Sequence, residues 1–198
     1  MPKLVLATRN SGKIAEIRQL LADTPWVAVS CDTFPGYPEP RETGQSFREN
    51  ASIKAHAIAE FTGELSMAVD SGLEVDTLKG APGVYSSRFS GPNATDASNN
   101  ALLLQRLADH PISERNARFQ CVICLATPDG RSWFASGNCE GHIGLVPAGS
   151  EGFGYDPLFV PDGFESSFGE LGPAIKNQVS HRGKAVNAAC AILNRIEL

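Results

Sequence analysis

The sequence predicts an α/β fold, and the clearest evidence lies at its start. Lys3–Ala7 is a short apolar run typical of a buried strand. The polar turn Thr8–Lys13 follows it, and then a helix with Ile14, Ile17, Leu20 and Leu21 on one face. This order of strand, polar turn and helix is the first half of an α/β unit, where backbone amides and a helix N-terminus often bind phosphate.

Composition predicts a folded protein with one sizeable core. The chain has 198 residues, of which 42% are hydrophobic and 20% charged, so we expect a single domain over residues 1–198. The net charge of -5 argues against general binding to nucleic acid. The sequence has neither a run of about 18 apolar residues nor a signal pattern at its N-terminus. We therefore expect a cytoplasmic protein without a membrane partner.

The cysteines predict core residues rather than a metal site. Cys121 and Cys124 have the spacing of a zinc or redox motif, but they lie in a segment that resembles a strand. Residues three apart on a strand face opposite sides of the sheet and cannot bind one metal. The odd total of five also gives no disulfide framework.

The segment Ser66–Leu73 is the centre of the candidate site. Its apolar first half predicts a buried strand that ends at Asp70 and Ser71, where Gly72 permits a tight turn. A carboxylate at a strand end beside a glycine turn can be rigid and accessible to a ligand. A solvated aspartate in a turn is equally compatible with this segment alone.

The turn after the first strand offers a hydroxyl, an amide and a cation on Thr8, Asn10 and Lys13. It is not a Walker A loop, because Ala7 replaces the first glycine and Ile14 replaces the hydroxyl residue after the lysine. The pattern favours a phosphate site, although an ordinary helix start explains it equally well.

Ser46 and Glu49 form the pattern of a capping box and predict a second helix, which carries Lys54. A proline- and glycine-rich connection containing Glu42 precedes this helix. By itself, the segment gives no reason to treat Lys54 as more than a solvated lysine.

Two later segments combine chemistry with rigid backbone. Phe153 lies in the glycine-fixed loop Gly152–Pro157, where it can stack on a flat ligand or fold into the core. Lys176, His181 and Arg182 lie just before or at a helix start, where the helix dipole opposes positive charge. An anionic ligand or a carboxylate between these cations would explain the arrangement.

These motifs occur together in a characteristic order, and no single motif is decisive. The sequence resembles the inosine triphosphate pyrophosphatase family from Leu4 to near the C-terminus. The matching motifs are Thr8-x-Asn10-x-x-Lys13, Glu42-Thr-Gly44 with Glu49-Asn50, Asp70-Ser-Gly-Leu73, Gly80-Ala-Pro-Gly83, Gly152-Phe-Gly-Tyr-Asp-Pro157 and Ser180-His-Arg182.

The resemblance implies an elongated mixed β-sheet flanked by helices, with two lobes around a central cleft, in a homodimer. It also implies Mg²⁺-dependent cleavage of ITP, dITP and XTP to the monophosphate and pyrophosphate. The partners would be a small nucleoside triphosphate and a second copy of the chain, with no nucleic acid and no membrane.

The resemblance further implies roles for individual residues. Asp70 would bind metal and act as the base for water, and Glu42 would bind metal. The residues that would contact the substrate are Thr8, Arg9, Asn10, Ser11, Gly12, Lys13, Lys54, Ser71, Phe153, Gly154, Tyr155, Asp156, Lys176, His181 and Arg182.

The chain departs from its relatives at Val69, where many of them carry a second acid before Asp70. Either the remaining acid suffices or metal binding is weakened. If the strand continues, Val69 belongs to the core, and if the backbone turns there, Val69 lines the metal site. We expect the turn, because Gly72 is close and relatives tolerate an acid.

Other functions compete with this interpretation. A triphosphatase for another modified base would keep the phosphate loop and Asp70 but change the base pocket. A nucleotide-binding protein without turnover would explain Val69. A serine hydrolase using Ser71 or Ser180 with His181 is disfavoured, because the sequence has no G-x-S-x-G elbow.

Overall fold

The computed structural model describes residues 2–37 and 39–196 and confirms the α/β class. The strands are β1 Lys3–Leu6, β2 Val27–Ser30, β3 Ser66–Val75, β4 Asn116–Ala126, β5 Ser132–Ile143 and β6 Phe159–Pro161. The helices are α1 Ser11–Leu20, α2 Phe47–Thr62, α3 Asp96–Arg106, α4 Pro173–Val179 and α5 His181–Leu193.

The strands form one six-stranded sheet in the order β2-β1-β3-β4-β5-β6. Strand β1 runs parallel to both β2 and β3, with α1 and α2 as the intervening helices along the chain. Strand β6 pairs antiparallel with β5. The sheet is therefore mixed, as the family resemblance predicts.

The chain forms two compact units. The first unit comprises residues 1–70, 121–137 and 182–198, and the second comprises residues 71–120 and 138–181. Strands β3, β4 and β5 each contribute residues to both units. The prediction of a single domain over the whole chain stays a prediction.

The first unit buries both faces of its strands. Leu6 and Met67 belong to a cluster that includes residues of α1 and α5. Val5 and Ala68, their neighbours along β1 and β3, belong to a separate cluster with Ala55 of α2. Successive strand side chains point to opposite faces, so helices on both sides of the sheet explain the continuous apolar runs.

Strand β3 continues through Asp70, Ser71 and Gly72 to Val75, so the predicted turn is wrong. Val69 is 1% exposed and packs in the cluster of α1 and α5. The expectation that Val69 lines the metal site is therefore also wrong. The physical reason is the alternation of the strand, which directs Val69 to one face and Asp70 to the other.

The second unit has an aromatic core. The ring centroid of Phe119 lies 4.7 Å from that of Phe159, and the centroid of Phe159 lies 5.3 Å from that of Phe168. Leu103 of α3 and Leu107, the residue that caps its C-terminus, belong to the same cluster. Helix α3 is thereby fixed in the unit that also contains the Phe153 loop.

The five cysteines are free thiols. Cys121 and Cys124 lie in the two clusters on opposite faces of the first unit, which confirms the predicted geometry of this pair. Within residues 2–37 and 39–196, no helix is long and apolar enough to cross a bilayer.

Candidate active site

The turn after β1 is organised by the cap of helix α1. The Asn10 side-chain oxygen accepts a hydrogen bond from the Lys13 backbone N–H at 2.9 Å, and Thr8 Oγ1 accepts from the Asn10 backbone N–H at 3.2 Å. The helix therefore begins at Ser11, three residues earlier than the sequence predicted, and includes Lys13. Ser11 and Gly12 lie at the helix N-terminus, where free backbone N–H groups favour an anion.

Positive charge is concentrated around Lys13. Burial lowers the pKa of Lys13 to about 8, and the neighbouring charges of Arg182 and Lys54 act in the same direction. The Asp70 carboxylate partly opposes this shift. A set of cations held close together in a buried environment is stabilised by an anionic ligand.

Arg9 is engaged by other groups in the first unit. Its guanidinium lies 3.4 Å from an Asp32 oxygen and 3.1 Å from a Glu39 oxygen, and it packs over the Tyr37 ring. These contacts hold the connection after β2 against the turn. A role for Arg9 in substrate binding stays a prediction.

Lys54 brings the two predicted metal ligands together. Its ammonium nitrogen lies 2.8 Å from Glu42 Oε1, 2.8 Å from Asp70 Oδ1 and 3.1 Å from the Val69 carbonyl oxygen. The side chains of Lys54 and Asp70 are only 12% and 9% exposed. The interpretations of Lys54 and Asp70 as solvated residues are therefore wrong.

The environment of Asp70 suits a proton acceptor. Burial raises the pKa of Asp70, and the adjacent Lys54 ammonium opposes this rise. The carboxylate is therefore partly desolvated while a hydrogen bond holds it in one orientation. A base in such an environment is more effective than one in bulk water.

Helix α2 holds the segment that carries Glu42. Ser46 caps the helix by accepting from the Glu49 N–H, which confirms one of the two hydrogen bonds of the predicted capping box. The Glu49 carboxylate accepts from the Gln45 N–H at 2.7 Å, and Asn50 Oδ1 accepts from the Gly44 N–H at 2.8 Å. These bonds fix the backbone two and three residues after Glu42, so the Glu42 carboxylate has a defined approach to Lys54.

Carboxylates lie beside Lys176 and Arg182, two of the three cations just before or at the start of α5. A neighbouring carboxylate is one of the two explanations that the sequence suggested for these cations. In the first unit, Arg182 of α5 is almost fully buried and pairs with Glu16 of α1. In the second unit, Lys176 pairs with Asp156 at 2.7 Å. Each pair fixes the direction in which the cation presents its remaining donors.

The second unit contains the predicted stacking loop. Asp156 Oδ2 accepts from both the Lys176 ammonium and the Phe153 backbone N–H, each at 2.7 Å. The Lys176 nitrogen also lies 5.0 Å from the centroid of the Phe153 ring. A Cβ on Gly152 would lie 2.1 Å from Asp156 Oδ2, so only glycine permits this close approach.

The other predicted residues of the second unit differ in their surroundings. Tyr155 is buried, donates its hydroxyl to the Ser86 carbonyl at 2.8 Å and has a raised pKa because of burial. His181 is also buried and stacks on Phe119 with a centroid distance of 4.6 Å. Ser71 follows Asp70 in β3 and is partly exposed. The structure thus gives Tyr155 and His181 clear packing roles, and their contacts with substrate stay predictions.

Sequence reasoning did not identify several polar residues that contact the predicted site residues, among them Glu16, Asp96 and Asn100. Glu16 pairs with Arg182, and Asp96 and Asn100 of α3 contact Gly154. The sequence contained a signal for two of them. Asp96 and Asn100 are one helical turn apart, so a helix at this position places both side chains on one face.

Comparisons with known proteins agree with this geometry. The model of the Ham1 family matches residues 4–192. A dITP/XTP pyrophosphatase from Desulforamulus reducens is 53% identical over 194 residues, covering 98% of this chain and 96% of that protein. Another from Streptomyces coelicolor is 46% identical over 198 residues, covering 99% of both chains.

Solved structures show the same fold. A HAM1 protein from Coxiella burnetii matches with a TM-score of 0.90 and 40% identity, covering 99% of this chain and all 100% of that chain. A nucleoside-triphosphatase, or dITP/XTP pyrophosphatase, from Mycobacterium abscessus matches with a TM-score of 0.78 and 45% identity, covering 94% and 98% of the two chains.

Proposed function

Because this chain belongs to the Ham1 family, we propose that it is a pyrophosphatase that hydrolyses dITP, ITP and XTP to the monophosphate and pyrophosphate. Its curated relatives are named dITP/XTP pyrophosphatase, which supports the reaction with dITP and XTP as substrates. ITP is included because of the family resemblance. Within the structure, the convergence of Glu42 and Asp70 on Lys54 is the observation that carries the proposal. It combines two carboxylates and a cation at the end of a buried apolar segment.

The first unit supplies the chemistry for a triphosphate. Lys13 and Lys54 provide positive charge, and the capped N-terminus of α1 provides backbone N–H groups. Thr8 adds a hydroxyl, and the amide nitrogen of Asn10 is a further donor beside the oxygen that caps the helix. These groups would hold the phosphates and offset the charge of the leaving pyrophosphate.

Mg²⁺ is the proposed cofactor, with Glu42 and Asp70 as its protein ligands. Both carboxylates direct an oxygen to the same ammonium group, so they approach one position from two segments of the chain. Mg²⁺ prefers oxygen ligands and is often held by one or two carboxylates together with substrate phosphates. When bound, the metal would offset phosphate charge and polarise the bond that breaks.

Asp70 is the proposed general base. It would accept a proton from a water molecule as the water oxygen attacks the α-phosphorus and the bond to the bridging oxygen breaks. Pyrophosphate would leave, and no covalent intermediate with the protein is needed. The raised pKa of Asp70 supports this role because it brings the carboxyl group closer to the working pH.

The second unit supplies the chemistry for a purine. Phe153 offers an aromatic face, and Lys176 beside it is a charged donor for an oxygen at the purine 6-position. An amino group at that position offers no acceptor to the buried Lys176 ammonium, so adenine would be disfavoured. Arg182 and His181 are proposed to assist in substrate binding, and Gly154, Tyr155 and Asp156 to shape the loop. The homodimer remains a prediction from the family resemblance, and the cytoplasmic location remains a prediction from the sequence pattern.

The direct test measures pyrophosphate release from ITP, dITP, XTP, GTP and ATP, with Mg²⁺ and with EDTA. We expect rapid release from the first three nucleotides with Mg²⁺, far slower release from ATP, and no release with EDTA. GTP carries the same 6-oxygen as ITP, so its rate tests whether a group other than Lys176 also reads the base. Binding of ITP without release would identify a nucleotide-binding protein. Preference for a modified pyrimidine would identify a triphosphatase for another base.

The pKa of Lys13 gives a pH prediction. A lysine with a pKa of about 8 loses its charge as the pH rises through 8, so its attraction for phosphate is present below that pH and lost above it. We expect kcat/KM for ITP to fall about tenfold per unit above pH 8, because kcat/KM reports the free enzyme.

The control is Lys13→Arg, because arginine keeps its charge throughout this range. This variant should retain activity and shift the alkaline fall to higher pH. An unchanged alkaline fall in Lys13→Arg would assign the titration to another group, such as the substrate base.

A further inference from the structure

We propose that Asp96 and Asn100 of helix α3 are positioning residues for the Phe153 ring, an inference that rests on the proposed function. The Gly154 backbone N–H donates to Asp96 Oδ2 at 2.7 Å, and the Gly154 carbonyl accepts from Asn100 Nδ2 at 3.0 Å. Both backbone polar groups of the residue that follows Phe153 are thus held by side chains one helical turn apart.

The backbone at this point requires support. Gly154 has a φ of 64°, in the left-handed region that glycine adopts readily. Glycine also has more backbone freedom than any other residue, so contacts with its neighbours are needed to hold this conformation. On the N-terminal side of Phe153, the Asp156 carboxylate accepts a hydrogen bond from the Phe153 backbone N–H. With Asp96 and Asn100 in place, hydrogen bonds fix the chain both before and after Phe153, so the ring is oriented before a base arrives. Orientation in advance reduces the entropy lost on binding.

Asn100 is poorly explained as a residue selected for stability. Its side-chain oxygen is buried without a hydrogen-bond partner among the described residues, and such a group lowers stability. The neighbouring Asn99 serves a different segment, donating to the Ser86 carbonyl at 3.3 Å. The donor that Asn100 supplies to Gly154 is therefore the contact that accounts for its presence. Asp96 is less diagnostic, because the first turn of a helix favours a carboxylate in any case.

Asn100→Asp tests the inference, because it preserves the shape of the side chain and replaces the donor that faces the Gly154 carbonyl with an acceptor. Calorimetry would measure the binding of IMP and of pyrophosphate to the full-length protein. We expect IMP to bind about 5- to 150-fold more weakly, the range that base stacking spans, and pyrophosphate to bind as in the parent. The KM for ITP should rise more than kcat falls.

Asp96→Ala should weaken IMP binding similarly, whereas Asp96→Asn should largely restore it, since the amide oxygen still accepts from the Gly154 N–H. The control is Asn116→Asp, the same chemical change at an exposed position at the start of β4, which should bind IMP like the parent.

A double-mutant cycle with Phe153→Ala shows whether Asn100→Asp weakens IMP binding through the Phe153 ring. If Asn100 acts through the Phe153 ring, Asn100→Asp adds no further loss of IMP affinity in the Phe153→Ala protein. An equal further loss in that background would overturn the inference, as would a folded Asn100→Asp protein that binds IMP like the parent. Should Asn100→Asp fail to fold, the same cycle with Asp96→Ala decides.

The result also separates this inference from the proposed function. A parent protein that neither binds IMP nor hydrolyses ITP would contradict the proposed function and, with it, this inference. A parent protein that does both, together with unaffected variants at positions 96 and 100, would overturn only the role of Asp96 and Asn100.

Discussion

We expect Asp70→Asn to lower kcat for ITP by about 10²–10⁴-fold, the usual loss when a positioned general base is removed. A neutral amide cannot accept the proton of the attacking water, and it is a poorer ligand for Mg²⁺. The fold should persist, because the amide oxygen can still accept the hydrogen bond that Lys54 donates to Asp70. Single-turnover kinetics at saturating Mg²⁺ would measure the chemical step, and a thermal melt would check the fold.

The matched control is Asp162→Asn, which makes the same change at an exposed position of the second unit. This variant should keep the kcat of the parent. A folded Asp70→Asn protein with kcat within about threefold of the parent, far short of the usual loss, would show that Asp70 is not the base.

Lys176→Met should remove most of the discrimination between ITP and ATP. A site built to donate a hydrogen bond to its substrate can reject an analogue without the acceptor by about 10⁴–10⁵-fold, and methionine cannot donate. The main effect should be a large fall in kcat/KM for ITP, with a much smaller change for ATP. Competition between the two nucleotides in one reaction would measure the ratio directly.

A second variant separates recognition from folding. Lys176→Met leaves the nearly buried Asp156 carboxylate without its cation, which costs about 3–5 kcal/mol in comparable cases. The double variant Asp156→Asn with Lys176→Met removes that charge, while the amide oxygen can still accept from the Phe153 N–H. Undiminished preference for ITP in a folded double variant would exclude Lys176 as the group that reads the base.

The sequence predicted the fold class and the presence of β1 and α2 because these depend on local patterns. The apolar run at β1 and the capping pattern at Ser46 each determine an element without reference to distant residues. The burial of Lys54 could not be predicted in the same way. Its partners Glu42 and Asp70 lie 12 and 16 residues away, and only the packing of α2 brings them together.

The errors at β3 and α1 have a common cause. Gly72 and the polar residues before Ile14 were interpreted as turn signals, yet a glycine can continue a strand such as β3 that lies within a sheet. Polar residues likewise form the first turn of α1 once Asn10 has capped it. Tertiary pairing and capping overrode local propensity in both places.

The carboxylate of Asp156 has a consequence for how this protein can change during evolution. One oxygen atom holds both the Lys176 ammonium and the backbone of Phe153, so the group that would read the base and the ring that would stack on it share a support. A substitution that changes the position of the Lys176 ammonium therefore also changes the position of the Phe153 ring. New base preferences are therefore difficult to reach by single mutations, and a lineage that inherits this arrangement should keep its preference while its surface diverges.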